Sequence, residues 1–248
     1  MVKRSSFGET KLTSIGFAMP LDFPSEAYEK TSGILVKYKD THPTQWVSFG
    51  LGWRGLKNRY RAMVEYNEEF TQSIKKHGNS PPFEERYKQE KALFGFFVSA
   101  ISTIECFFYS TYLVGAILKP DRFTSDFESL KYLYPQNVME KFVANFHGEA
   151  LTGKMKECVD DHMYIGMRDM RDVLSHRGEL PRSFYRGGER NGMATMPTNP
   201  KDTSDLWRYD FSIDENTTAT YHQWLYETLK GLTSAAADFC EKTMACKE

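Results

Sequence analysis

Residues 160–182 read DDHMYIGMRDMRDVLSHRGELPR, and the rest of the chain is organised around them. Tyr164, Met167, Met170, Val173 and Leu174 recur three or four apart, the period of a helix with one apolar face. Arg168, Asp169, Arg171, Asp172, Ser175 and His176 fill the polar remainder. The stop signals agree: His176 and Arg177 in the last turn, Gly178 just past it, Pro181 beyond. The final carbonyls of a helix carry partial negative charge, which favours an imidazolium at His176. Asp172, one turn below on the same side, pushes the same way. An imidazole that gains and loses a proton near neutral pH suits acid–base chemistry. Arg171 lies about 140° around the helix from His176 and about 7.5 Å along it. The two do not share a face, so Arg171 must use its length, or the site is an edge bordered by a second body.

The longest helix is expected over 83–118, entered through the charged run 84–91 and ended by Lys119-Pro120. Its part from 92 to 118, ALFGFFVSAISTIECFFYSTYLVGAIL, is long and apolar enough for a membrane span. Glu105 at its centre, five scattered Ser and Thr residues and strongly polar flanks favour a helix buried in a soluble bundle instead, with no membrane partner. An ionised carboxylate on such a helix needs a partner. Either Glu105 faces Arg171 and holds it, or it sits at a wet edge or pairs with an unrelated lysine. Ser102, Tyr109 and Tyr112 approximately share its face.

The remaining chain reads mostly as helix. Alternation at Phe17, Met19, Leu21 and Phe23 is interrupted by Pro20 and Pro24, and a helix within 25–38 is expected to break near Gly33. Trp53, Leu56, Tyr60, Met63, Phe70 and Ile74 give an amphipathic helix over about 52–76, its start blurred by Gly50, Gly52 and Gly55. Its basic first half (Arg54, Lys57, Arg59, Arg61) reads as a solvated face before a nucleic-acid contact. Ser125-Asp126-Phe127-Glu128 reads as a capping box. Pro135 opens another helix to about His147, and the motif helix begins after a loop at 148–153. Partial alternation over 206–213 and turn signals at Gly187-Gly188 and Asn191-Gly192 suggest a small hairpin inserted before the last helix. That helix, capped by Asn216 or Thr217, runs to about Thr243 with Tyr221, Leu225, Leu229, Leu232, Ala236, Phe239 and Cys240 inward. The expected fold is an all-α, up-and-down helical bundle with a hairpin or loop insertion, preceded by an extension at 1–45 packed on the domain at 46–248.

Composition narrows the function. With 248 residues the chain can bury a sizeable core. A net charge of −1 and a pI near 6.6 exclude a generally basic, phosphate-coating protein, so any nucleic-acid site is a local patch. Cys106, Cys158, Cys240 and Cys246 form no C-x-x-C pair and read as reduced thiols in a cytoplasmic protein. The opening MVKRSSFGET lacks the apolar core of a signal peptide. Cys158, Asp160, Asp161 and His162 sit together in sequence, but helical geometry points adjacent members apart, so no metal site is expected. There is no phosphate-binding glycine loop, dinucleotide fingerprint or nucleophile elbow, and no cofactor is expected.

Arg171-Asp172-Val173-Leu174-Ser175-His176 resembles the R-x4-H motif of the HEPN superfamily, in which a polar residue commonly follows the arginine. The resemblance covers about residues 83–245. It implies an all-helical domain that dimerises, and a metal-independent endoribonuclease of the kind found in prokaryotic toxin–antitoxin and phage-defence systems, with an antitoxin or defence partner. The candidate catalytic set is then Arg171, His176, Asp172 and Glu105. RNA carries its own nucleophile in the 2′-hydroxyl, so a protein need only move protons and stabilise the charge on phosphorus. His176 would transfer protons, Arg171 would hold non-bridging oxygens, Asp172 would orient His176, and Glu105 would position Arg171. Arg168, Arg177 and Arg182 are weaker candidates for RNA backbone contacts. Phe184 and Tyr185 lie among Arg177, Arg182, Arg186 and Arg190, which suits either RNA or an ordinary solvated loop. One histidine for two proton transfers calls for a homodimer with a composite cleft. The alternative is a non-catalytic helical module binding RNA, a nucleotide or a protein partner, with Arg171 and Glu105 as a structural pair.

Overall fold

The computed structural model describes the backbone at 2–5, 8–12, 18–176, 182–183, 193–194 and 211–244, and the side chains over 18–175 and 213–244. Among these residues the chain forms eight α-helices: α1 Ser25–Leu35, α2 Pro43–His77, α3 Phe83–Leu118, α4 Phe127–Lys131, α5 Pro135–Asn145, α6 Ala150–Asp160, α7 His162–His176 and α8 Ala219–Met244. The architecture is an all-α helical bundle. Arg177 and residues 184–192 lie outside the described residues, and of Arg182 only the backbone is described.

The frame is the antiparallel pair α2 and α3. Pro43 opens α2 at a position where a missing N–H costs nothing, and Lys75, Lys76 and His77 in its last turn suit the negative end of the helix. Gly78 takes φ 69°, a left-handed conformation that favours glycine, and the chain reverses into α3. The helix begins nine residues earlier than its apolar spacing implies, because the glycines at its start are contact points rather than breaks. A Cβ on Gly52 would meet Tyr109 Cδ1 at 2.7 Å and Ser110 Oγ at 2.5 Å. At the other end, a Cβ on Gly95 would meet the Tyr66 ring at 2.6 Å. Bare backbone thus lets each helix receive a tyrosine from the other.

α3 is the core of the molecule. Phe96, Phe97, Ala100, Ile101, Ile104, Phe107, Phe108 and Leu113 are all at most 1% exposed. Each buried large side chain contributes about 1.5–3 kcal/mol. α3 is long and apolar enough to cross a membrane by length and composition, yet 67% of its most apolar window is buried inside the fold. The hydroxyl of Thr103 donates to the Ser99 carbonyl one turn back (2.8 Å), so it enters the core satisfied.

Several boundaries differ from the sequence reading, each for a local reason. α1 runs through Gly33 to Leu35 and continues as a short 3₁₀ turn at Val36–Tyr38. Asp126 caps α4 by accepting from the Ser129 amide (2.9 Å), in place of a Ser125–Glu128 box. The chain breaks between α6 and α7 at Asp161, which leaves the helical region and accepts from the Met163 amide (2.8 Å). Before α8, Thr217 Oγ1 accepts from the Asp214 amide (2.8 Å), so the side chain closes a turn instead of capping the helix.

Two small antiparallel sheets flank the bundle. β1 Val2–Ser5, β2 Gly8–Leu12 and β3 Ala18–Pro20 pair in order at the N-terminus, where the sequence reading had placed no sheet. In the insertion before α8, β4 Arg182–Ser183, β5 Met193–Ala194 and β6 Phe211–Ser212 form three two-residue strands rather than one hairpin. The N-terminal segment is tied down firmly. Tyr28 stacks on Trp53 (5.1 Å, 6°), and the two exchange hydrogen bonds of 3.1 Å through their polar tips and carbonyls. Lys30 pairs with Glu241 on α8 (3.0 Å), and the Tyr38 hydroxyl donates to the Met244 carbonyl (3.1 Å).

Replacing Gly52 by alanine is expected to destabilise the fold by about 1–3 kcal/mol through overpacking against Tyr109. Gly33→Ala, where a Cβ meets nothing within 4 Å, is expected to stabilise it by about 0.5–1 kcal/mol. Urea denaturation of both variants checks the pair, and equal midpoints would contradict the close approach.

Candidate active site at the crossing of α3 and α7

α7 lays Tyr164, Met167, Met170 and Val173 into the core, all under 7% exposed. That rotation brings Arg171 to its edge, facing α3. Arg171 Nη2 lies 3.4 Å from Glu105 Oε1, joining the two helices across the sequence. Both side chains are half-buried, 28% and 35% exposed. Burial pushes the Glu105 carboxyl above its ordinary value; the Arg171 charge and hydrogen bond oppose this, and the Asp172 charge adds to it.

Asp172 lies beside Arg171. Its Oδ1 lies 2.8 Å from Arg171 Nε, too far out of line for a hydrogen bond, and Nε has no acceptor. Asp172 therefore neutralises Arg171 directly. The side chain of His176, which Asp172 was expected to orient, lies outside the described residues. Its backbone closes α7, one turn and a residue beyond Arg171. Arg168 does the same as Arg171 one turn earlier: its Nη2 meets Asp169 Oδ1 at 3.2 Å. Tyr164, read as an apolar-face residue, has its phenol pushed up to about 12, chiefly by burial.

Two of the residues grouped with Glu105 by helical spacing go elsewhere. Tyr109 packs over Gly52, and the Tyr112 hydroxyl donates to the Thr124 carbonyl (2.9 Å) while accepting from Lys141 (3.1 Å). The basic start of α2 is divided: Lys57 is 5% exposed and Arg61 pairs with Glu65 (2.7 Å) and donates to the Ala18 carbonyl (3.2 Å), while Arg54 and Arg59 are exposed, as a solvated face requires. Among the described residues no three His, Cys, Asp or Glu side chains are placed to hold a metal ion. Cys158 is buried, with its thiol pushed up by burial, whereas the His162 side chain is 90% exposed. Asp161 is engaged by Met163 and by the Trp224 indole N–H (3.0 Å).

One polar chain escaped the sequence reading. The Thr218 hydroxyl donates to Asn67 Oδ1 (2.5 Å), which turns the Asn67 amide N–H toward His222 Nδ1 (3.5 Å). His222 Nε2 then meets Asp22 Oδ2 at 2.9 Å. Tyr60 is buried beside it, its phenol pushed up by burial and then by the Asp22 charge. Both ring nitrogens of His222 are occupied, so it ties the N-terminal segment to α2 and α8 and is not open as a base. Nothing local marks it, since its members come from three distant stretches.

Compared with models of known protein families, with curated proteins and with solved structures, the chain matches none.

The raised pKa of Glu105 means that the folded chain binds that proton more tightly than the unfolded chain does. Stability therefore falls as pH rises from the ordinary carboxylate value to the raised one, and is level above it. Glu105→Gln removes this slope. In urea titrations the wild type is expected to gain on the variant as pH drops from neutral toward the ordinary carboxylate range. A difference independent of pH would contradict a desolvated Glu105.

Proposed function

We propose that the chain is a cytoplasmic, metal-independent endoribonuclease of the toxin or phage-defence type, working as a homodimer. The observation that carries this reading is the Glu105–Arg171 ion pair: an acidic residue on the long apolar helix holds the arginine of an R-x4-H motif at a half-open edge. Glu105 fixes Nη2 and Asp172 approaches Nε, while Nη1 has no partner among the described residues. That edge of the guanidinium is the one offered to the non-bridging oxygens of a scissile phosphate, where the planar fork fits best.

His176 takes the proton from the 2′-hydroxyl, and the oxygen attacks the adjacent phosphorus. Charge builds on the non-bridging oxygens beside Arg171. The leaving 5′-oxygen receives a proton from His176 of the second copy, giving a 2′,3′-cyclic phosphate and a 5′-hydroxyl. Glu105 and Asp172 are positioning residues. A dimer axis near the end of α7 supplies the second histidine and the second body that the diverging faces of Arg171 and His176 call for.

The same ion pair supports a second reading, a non-catalytic module in which Arg171 serves only the α3–α7 contact. The two are separated by cleavage of a labelled mixed-sequence RNA in EDTA. On the first reading the wild type cuts and leaves cyclic-phosphate ends, and folded, dimeric His176→Ala is slower by about 10²–10⁴-fold. On the second, neither protein cuts, and Arg171→Ala costs stability alone, about 1–3 kcal/mol. Equal cutting by wild type and His176→Ala would remove His176 from the mechanism.

A further inference from the structure

The face of α3 that carries Glu105 does not end at the ion pair. At 3.6 residues per turn, Tyr87 lies five full turns before Glu105, and Phe94, Lys91 and Phe83 fall within about 40° of the same line. This stripe spans roughly 27 Å from Tyr87 to Glu105 at 1.5 Å per residue. Elsewhere α3 buries its aromatics almost completely, with Tyr109 half-buried, but here Phe83 is 82% exposed, Tyr87 60% and Phe94 42%. None of the three rings makes a ring contact among the described residues. The flank of the stripe carries charge of both signs, with a small excess of cations. Lys88 and Lys91 line a groove of about 430 Å³ with Lys76 and His77, against Glu69 and Glu85. Glu85 is taken up by Lys88 (2.7 Å) and His77 (3.4 Å), with the Lys76 charge also acting on it, which leaves Lys91 without a carboxylate partner among the described residues.

We propose that this stripe is a stacking track for single-stranded RNA leading to Arg171, with bases laid on Phe83, Tyr87 and Phe94 and phosphates beside Lys88 and Lys91. The assignment rests on the ribonuclease reading for its direction, and on three further features for its occupant. Spaced, exposed rings on a rigid helix offer π-faces that any base can use. Interleaved lysines complement a polyanion and do not suit a purely apolar partner. The track is continuous with the site where the phosphate must arrive. Stacking needs bases free of a duplex, so the track selects unpaired RNA.

The test measures binding of the full chain to a 2′-O-methyl oligoribonucleotide of about 12 nucleotides, which cannot be cleaved, and to a duplex of the same sequence. The wild type is expected to prefer the single strand. Tyr87→Ala and Phe94→Ala each weaken it by roughly 5- to 100-fold, whereas Tyr87→Phe and Phe94→Tyr retain binding. Lys91→Gln lowers affinity and reduces the salt dependence by about one phosphate. These positions are exposed, and far-UV circular dichroism confirms that the variants stay folded. Alanine variants that bind like wild type, a wild type that binds neither probe, or substitutions that only dissolve a dimer would each overturn the track. Cleavage of ordinary RNA is scored separately. Ring-dependent binding without cleavage upholds the track and overturns the ribonuclease; cleavage with ring-independent binding does the reverse.

Discussion

Where α2 and α3 lie closest, one of the two presents no side chain. Gly52 faces Tyr109 and Ser110, and Gly95 faces Tyr66, so each end of the pair is a ring laid on bare backbone. This contact fixes both the spacing and the rotation of α3. A shift of one residue would turn a helix by about 100° and bring a Cβ into a tyrosine ring. Once α3 is set, its Phe and Ile side chains must point where α2, α7 and α8 cover them, and the stripe through Glu105 must face outward. α7 is oriented independently by its own buried face. Arg171 and Glu105 thus meet because two apolar surfaces are packed, and their attraction is a consequence. The magnitudes agree: burying the core side chains of α7 contributes about 1.5–3 kcal/mol each, whereas a half-exposed ion pair contributes at most about 1 kcal/mol.

The all-helical class, the long apolar helix and the last helix are legible in the chain because they depend on periodicity alone. α3 ends where Lys119-Pro120 predicts, and α8 runs one residue past the expected Thr243. The start of α2 is not legible. Helix propensity counts Gly50, Gly52 and Gly55 against a helix, and only a neighbour's tyrosine reveals why glycine is needed. The break at Asp161 is hidden for the opposite reason: the aspartate that caps α7 sits in an otherwise continuous helical pattern. The N-terminal sheet gave no signal because β1 and β2 are dominated by polar residues, and Pro20 falls within β3 at a sheet edge, a place where strands tolerate proline.

The candidate site was legible to the extent that desolvation reasoning reaches. A carboxylate on an apolar helix needs a partner, and Arg171 was one of the alternatives that argument left open, beside a wet edge and an unrelated lysine. The contact of Asp172 with Arg171 was not reachable this way. Helical spacing relates Asp172 to His176, whose side chain lies outside the described residues, whereas the contact described is to the neighbouring residue in the chain. The Asp22–His222 tie was equally out of reach, because a contact spanning 200 residues leaves no local trace.

The charge arrangement on α7 constrains how an RNA could be held there. Arg168 is matched by Asp169 and Arg171 by Asp172, so the helix brings almost no net charge to its exposed edge. Counterion release, the usual source of affinity for a polyanion, is correspondingly small. Lys91, which has no ion pair among the described residues, lies nearly four turns of α3 from Glu105. On the proposed reading, the binding energy must then come largely from the exposed rings of α3. Stacking loses little with added salt, whereas phosphate contacts lose affinity steeply. A near-neutral protein with exposed aromatics discriminates by whether bases are free to stack. The same balance of charge that rules out a general RNA-coating protein is thus consistent with one that engages unpaired RNA.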